Sequence, residues 1–402
     1  MPEASRGALE GLKVIDLSRV LGGPYCGQML ADHGANVIKV EPPQGDETRL
    51  WGPPFDQEGI SAYFAGINRN KRTIALDLSK PEGRDVLMKL LETADVLIDN
   101  FKTGTMEKWG IGYHDTLSKK FPRLVHARVS GFGADGPLGG FPGYDAMVQA
   151  SAGLVSVNGS PEGGQVRIGV PVVDLSTGMN ATIGIMMALY ERNRSGKGQF
   201  VDATLYDSAI ALHQPHAPNY FMAGLTPKLV GNSHASLVPY SNFPTKTRNI
   251  VVGSGNDGQF RKLTQMLGKP ELADDPRFKT NKERVAHRAE LEAELRELLK
   301  DRDANEFSQE LMKGGVPSAA VLEVPDVMEH PHTKHRGMVW EKDGWRNVGN
   351  PVKLSRTPPE VRTKPKKFGT DTKAVLAEAG YSTPEIEKLV ASGIAFTELK
   401  KK

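Results

Sequence analysis

The sequence predicts an α/β fold whose larger part is a doubly wound, Rossmann-like sheet, and three observations carry that prediction. Apolar strand-like runs alternate with helix-like stretches as far as residue 205, the pattern of parallel strands joined by crossover helices. The opening stretch GLKVIDLSRVLGGPYCGQMLADHGANVIKVEPPQGD reads as strand, Gly-rich turn, helix and strand, which is one βαβ unit. A Gly- and Pro-rich stretch, 131–163, then follows the fifth strand-like run, where loops bordering a ligand edge are expected.

Taken in order, strands are predicted at 13–17, 36–41, 73–78, 96–100 and 124–130, with helices at 24–33 and 82–92 between them. A long apolar helix runs from 174 to 191, and NRSGKGQ after it holds two glycines suited to a C-terminal cap. A strand at 200–205 and an apolar stretch with helical spacing at 207–225 complete the first part of the large domain, 1–225. A smaller α/β domain is expected at 226–325, from the strand, turn and helix in NIVVGSGNDGQFRKLTQMLGKPEL and a charged helix at 282–302. Residues 326–402 return to the large domain through an exposed linker, RTPPEVRTKPKKFG, and a short helix pair at 371–394.

With 402 residues, 39% of them hydrophobic and 25% charged, the chain can bury a sizeable core, which excludes disordered and fibrous classes. Lys and Arg number 51 against 48 Asp and Glu, with the signs interspersed, so no basic face for nucleic acid or membrane is expected. Any anionic ligand has to be held by a local cluster. The single cysteine, Cys26, excludes an internal disulfide, a thiolate metal site and a CxxC pair. The start MPEASRGALEGL lacks an apolar signal core and no run reaches the ~18 apolar residues of a membrane span. A cytoplasmic protein is the expectation.

Several stretches invite a chemical reading. In LGGPYCG, a dinucleotide fingerprint starting at Gly22 would need its second glycine where Pro24 stands, so a nicotinamide-dependent oxidoreductase is disfavoured and a plain tight turn favoured. In NRNKRTIALDL, Arg69, Lys71 and Arg72 could hold phosphates, although a solvated charge run is the default. HPHTKH gathers His330, His332 and His335 without a helical i, i+4 pair or a carboxylate set, so ordinary exposed histidines and no metal are expected. Cys26 reads as a small buried residue. Asp174, followed by Leu175, Ser176 and Thr177, suits a helix N-cap, where the positive end of the helix would keep it ionised. An ionised carboxylate in a glycine-lined cleft can also attack an activated acyl group. Cap and nucleophile are compatible, and spacing alone favours the cap.

The stretches LKVIDLSRVLGGPYCGQMLADHGANVIKVEPPQGD, NRNKRTIALDL, VLIDNF, GYDAMVQASAGL, VDLSTG and RSGKGQFVDATLYDSAI together resemble the family III CoA-transferases, the group that includes formyl-CoA transferase. They stand in the family's order across nearly the whole chain. The resemblance implies a CoA-binding large domain, a smaller second domain and two chains threaded into an interlocked homodimer. It implies transfer of CoA between an acyl-CoA and a free carboxylate through an aspartyl mixed anhydride and an aspartyl-CoA thioester, with no cofactor beyond the CoA thioester substrates. By motif, Asp174 matches the catalytic aspartate. Leu21 and Gly22 match the turn against CoA, and Leu76 the adenine-side strand end. Asn100, Phe101 and Lys102 fall on the loop along the pantetheine and phosphate arm, with the cationic Lys108 nearby, and Tyr144 and Asp145 on the loop facing the thioester.

Two departures from the formyl enzymes bear on the substrate. Their run of consecutive glycines is replaced by GNSHASLVPYSNF, which argues against oxalate and leaves the backbone amides of Asn232, Ser233, His234 and Ala235 as expected oxyanion donors. Pro42 stands in place of a CoA-contacting arginine, which leaves phosphate binding to Arg19, Lys71 or Arg72. WGPPF, HASLVPYSNF and IVVGSGNDGQF are most similar to succinyl-CoA:glutarate-type enzymes, so succinyl-CoA and a dicarboxylate are the expected substrates. Racemases of 2-methylacyl-CoA share the fold but use the histidine of a G-H-D motif. Tyr144 occupies that place in GYD, and an unperturbed tyrosine is a poor base at neutral pH. A non-catalytic CoA-binding protein, with Asp174 purely structural, is the remaining alternative.

Overall fold

The computed structural model describes residues 7–399. The chain forms two compact units. One takes in the described residues of Met1–Leu154, Ile168–Pro218 and Lys334–Lys402, and the other Val155–Arg167 and Asn219–Thr333.

The first unit is built on β1 (Lys13–Asp16), α1 (Gly22–Asp32), β2 (Asn36–Glu41), β3 (Lys71–Leu76), α2 (Pro81–Leu91), β4 (Val96–Asp99), β5 (Val125–Ser130), α3 (Asp145–Ser151), α4 (Val172–Ser195), β6 (Phe200–Thr204), α5 (Leu205–Ala211), α6 (Thr372–Glu378), α7 (Thr383–Ala391) and β7 (Ala395–Phe396). The sheet order is β7-β3-β2-β1-β4-β5-β6. All neighbours are parallel except β7, which runs against β3. The chain steps outward from β1 to β3, then returns to the other side of β1 at β4. The C-terminal ends of β1 and β4 thus flank the switch point where open α/β sheets bind ligands.

Strands buried on both faces read as continuous apolar runs, and successive residues serve opposite faces. Val14, Val37 and Ile98 pack with Leu30 of α1 and Val173, Ala181 and Ile185 of α4. Their neighbours Ile15, Ile38 and Leu97 pack with Leu87 and Leu90 of α2, Val375 of α6 and Ile386 of α7. Each such fully buried side chain contributes about 1.5–3 kcal/mol, so a charge at Ile98 would break the sheet's centre.

Three elements differ from expectation. α1 begins on the glycines rather than at Pro24; Pro24 sits in the first turn, where a missing N–H breaks no helical bond. β3 begins at Lys71, which draws the cationic run into the sheet. The stretch 207–225 divides into α5 and a second helix, His216–Ala223, with Pro215, which has no N–H to donate, between them.

α4 corrects the expectation about apolar runs, for it is the one described helix long and apolar enough to cross a membrane by length and composition. Its inner face belongs to the core of the unit. It crosses α1 at glycine distance, since a Cβ on Gly178 would come within 2.6 Å of the Gly22 carbonyl oxygen. It ends at Gly196 (φ 75°), whose N–H donates to Arg192 O at 2.8 Å, the C-terminal cap that NRSGKGQ predicts.

The second unit holds an antiparallel sheet ordered Ser318–Ala320, Ile250–Gly253, Tyr240–Phe243. Phe243, Ile250 and Val252 pack against Phe260, Leu291, Leu295, Phe307 and Leu311 from its helices. NIVVGSGNDGQF becomes the strand Ile250–Gly253 and the helix Asp257–Met266. That helix is capped by Asn256, whose side chain accepts the Gln259 N–H at 2.9 Å.

Candidate active site

A cleft of about 220 Å³ lies at the switch point. Arg19, Leu21 and Gly22 reach it from the turn after β1, Asn100, Phe101 and Lys102 from the end of β4, and Tyr144 and Asp174 from the starts of α3 and α4. A second hollow of about 530 Å³ shares Arg19, Phe101 and Lys102 with the first and extends past Pro42 and Leu76 to Trp109. Together they form one groove along the carboxyl edge of the sheet.

The two strand ends are tied side by side. The Arg19 N–H donates to Asn100 Oδ1 at 2.9 Å, and Asn100 Nδ2 donates to Arg19 O at 2.7 Å. Asp99 accepts the Phe101 N–H at 3.0 Å, which fixes the loop that presents Phe101 and Lys102. On the other side, Val20 is held at φ 70°, a region a β-branched residue occupies only under constraint. The constraint is a buried ion network: Lys39 donates to Ser18 O at 2.8 Å and pairs with Asp46 at 2.9 Å. Glu41 takes two bonds of 2.7 Å from Arg49.

Lys71 and Arg72 do not line the groove. Lys71 is fully buried, with its ammonium on Asp16 at 3.0 Å, Pro24 O at 2.7 Å and Asn68 Oδ1 at 3.0 Å. Burial lowers its pKa to about 8 against the opposing pull of Asp16. Arg72 faces the other way and makes a bidentate pair with Glu378 at 2.6 and 2.8 Å. Arg69 is buried against Asp32, so this run is neither a phosphate site nor a solvated face. Lys108 is exposed and lines neither hollow.

Asp174 sits in the first turn of α4 but is not its N-cap; Pro171 holds that position without a side-chain bond. The Asp174 carboxylate accepts no hydrogen bond among the described residues. Burial first, then the charge of Asp145, push its pKa up to about 7, which corrects the expectation that the helix end alone keeps it ionised. Asp145 is buried and does not line the cleft. Gly22, Val129 and Leu205 line the cleft with Asp174.

Asn232, Ser233, His234 and Ala235 lie in the second unit. Two of their amides are taken, Ser233 N–H by Val230 O at 3.1 Å and His234 N–H by Tyr240 O at 2.9 Å. Cys26 is fully buried on α1. Among the described residues no group of three or more His, Cys, Asp or Glu could hold a metal ion.

The sequence reading missed Glu47, Thr103 and Ser130, which line the cleft, and Tyr63. Burial, then the charges of Asp174, Asp145 and Asp46, hold the Tyr63 phenol up to about 12, which marks it as a neighbour of the site. The run EPPQGDETR directly after β2 was the available signal for Glu47, because the carboxyl end of every inner strand opens on this edge.

Comparison with known proteins shows the family of the chain. Residues 9–372 match the model of CoA-transferase family III. The chain belongs to that family. It is therefore an enzyme, a CoA-transferase, and CoA thioesters and carboxylates are its classes of substrate. A succinate–glutarate CoA-transferase of Agrobacterium fabrum is 39% identical over 92% of this chain and 95% of its own. An acetyl-CoA:oxalate CoA-transferase of Acetobacter aceti is 38% identical over 88% and 91%. A CAIB/BAIF family protein from Brucella suis has a crystal structure matching with a TM-score of 0.87 and 40% identity, over 93% of this chain and all of that one.

Proposed function

We propose that this enzyme moves CoA from succinyl-CoA to a dicarboxylate, with Asp174 as the nucleophile. The observation that carries the reading is a carboxylate that accepts no hydrogen bond among the described residues, set in a cleft beside Gly22, Val129 and Leu205 and sharing Arg19, Phe101 and Lys102 with the neighbouring hollow. Asp174 attacks the thioester carbonyl; the C–S bond breaks, CoA leaves as thiolate, and a mixed anhydride remains. The thiolate attacks the aspartyl carbonyl, releases the donor carboxylate and leaves an aspartyl-CoA thioester. The acceptor carboxylate displaces the thiolate to give a second anhydride. Attack by the thiolate on the acceptor acyl carbon then yields the new acyl-CoA and restores Asp174.

In this reading the nucleotide end of CoA lies by Leu76 and Pro42, its phosphates meet Arg19 and Lys102, and its arm passes Asn100 and Phe101 towards Asp174. Pro42 offers no charge, so Arg19 and Lys102, which border both hollows, supply the cations. The first amides of α1, at Gly22 and Gly23, open the helix with no side-chain cap and serve the developing oxyanions, as a helix N-terminus favours. The chemistry asks for no group beyond the two substrates. A dicarboxylate acceptor is favoured by the glutarate-acting relative.

The working form is an interlocked homodimer that shares its sites. Support comes from the outer face of α4, where Ile183, Met186, Met187 and Tyr190 join Val352 and Leu354 around an almost wholly apolar groove of about 530 Å³. A patch of that kind marks an interaction surface.

Mass spectrometry after incubation with succinyl-CoA and hydroxylamine tests the reading. A hydroxamate on Asp174 that Asp174→Asn abolishes supports it. An unmodified Asp174, with solvent deuterium entering the α-carbon of 2-methylacyl-CoA, replaces it with the racemase.

A further inference from the structure

We propose that Asp145 is a positioning residue: it takes over the capping of α4, so that the Asp174 carboxylate is left free to face the cleft. The proposal deepens the transferase reading and rests on it.

The first turn of any helix leaves its leading N–H groups without intrahelical acceptors, and a carboxylate three residues past the cap normally reaches back to the cap's own N–H. Here that reach has no target, because the cap residue is Pro171, which has no N–H. The next donors are all occupied. Val172 N–H donates to Val170 O at 2.8 Å and Leu175 N–H to Pro171 O at 3.1 Å. Between them, Val173 and Asp174 N–H donate to the same oxygen, Asp145 Oδ2, at 2.8 and 3.2 Å. The hydroxyls of Ser176 and Thr177 both turn to Val173 O, at 3.0 and 2.7 Å. No donor of the first turn is left for the Asp174 side chain.

Asp145 is itself held. Gln149, one turn further along α3 and fully buried, donates to Asp145 Oδ1 at 2.6 Å and accepts the Ile168 N–H at 2.8 Å. One carboxylate and one amide therefore stitch α3 to the chain on both sides of Pro171. A negative charge fixed on the amide of the nucleophile also opposes ionisation of the nucleophile. The other ionisable groups around Asp174 are Tyr63, Tyr144, Arg19, Glu47 and Lys102. α1, β5 and α5 bring uncharged Gly22, Val129, Ser130 and Leu205 to the cleft.

The test compares Asp145→Asn, which keeps an acceptor oxygen and removes the charge, with Asp145→Ala, which removes both. Succinyl-CoA:glutarate exchange is followed from pH 5 to 9, and the Asp174 carboxyl is titrated by infrared difference against Asp174→Asn. Expected for Asp145→Asn is an acid limb and a carboxyl midpoint moved to lower pH by about one unit, with kcat above pH 8 within about tenfold of the wild type. Expected for Asp145→Ala is a kcat lower by roughly 10²-fold with KM for acyl-CoA little changed. Equal losses in both variants with an unmoved acid limb and midpoint overturn the proposal, as does normal activity in both. Should Asp145→Ala fail to fold, Asp145→Asn decides by its midpoint and acid limb. Failure of the transferase reading looks different: the wild type then shows no Asp174-dependent exchange, and the proposal falls with it.

Discussion

Gly22 faces Asp174 so closely that a Cβ on it would stand 3.6 Å from Oδ1 and 3.3 Å from the carbonyl oxygen of Asp174, with Val129 Cγ1 at 3.4 Å. The backbone neighbour cannot swing away as a side chain would. Gly22→Ala is expected to lower kcat/KM by roughly 10²-fold, the cost of a small misplacement near the reacting atoms, while thermal unfolding stays close to wild type. Kinetics alongside a melting curve check both halves.

Burial pushes the Asp174 carboxyl up from 3.8 to about 7, and under the proposed mechanism attack requires the carboxylate. Activity should therefore rise as pH increases through 7, about tenfold per unit on the acid side, and level off above it. Stability runs the other way. A carboxyl whose folded pKa is raised favours the fold below its ordinary 3.8 and loses that contribution as pH climbs through about 7. Asp174→Asn should melt a few degrees higher than wild type at pH 8, and the gap should close by pH 4. Calorimetry at the two pH values separates the outcomes.

Lys71 anchors Asp16 beneath the β1–α1 turn and lines neither hollow. Removing it leaves Asp16 as a buried charge without its cation, so Lys71→Ala should cost about 3–5 kcal/mol in stability. A soluble, fully stable variant whose only defect is a raised KM for CoA esters would return Lys71 to the phosphate site.

Lys102 lines both hollows of the groove and is exposed. Lys102→Ala should raise KM for succinyl-CoA roughly five- to tenfold, about 1 kcal/mol, with kcat unchanged. Added salt should shrink the difference. Lys108→Ala, outside both hollows, should show a smaller change in the same assay.

Tyr190 and Met187 present 72% and 67% of their surface on the apolar side of α4. Under the dimer reading, Tyr190→Asp places a charge in a buried interface. Sedimentation should then show loss of the dimer, while an unchanged dimer would move the interface elsewhere.

The sheet was legible because its strands are buried on both faces and read as apolar runs, and because Gly- and Pro-rich turns punctuate them. The groove residues Leu21, Gly22, Asn100 and Phe101 came from the family resemblance; Asn100 and Phe101 directly follow β4, and Leu21 and Gly22 stand at the end of the turn that joins β1 to α1. Lys71 and Arg72 show where such reading stops. They are adjacent in sequence, yet a strand sends neighbours to opposite faces, one to Asp16 and the other to Glu378. The family resemblance set Asp145 on the loop facing the thioester, whereas its hydrogen-bond partners, Val173 and Asp174, lie 28 and 29 residues away. Acceptors found across that distance leave no periodic trace.

Cys26 is the chain's one cysteine, fully buried and pushed up to about 12 by burial first. Under the proposed mechanism a thiolate is released and recaptured in every cycle, which is a standing hazard, because a reactive protein thiol beside it could be converted to a mixed disulfide with CoA in an oxidising cell. Kept protonated and out of reach on the helix that opens beside Asp174, this sulfur gives the departing thiolate nothing to oxidise onto. Redox stress would then reach the reaction through the CoA pool rather than through the enzyme.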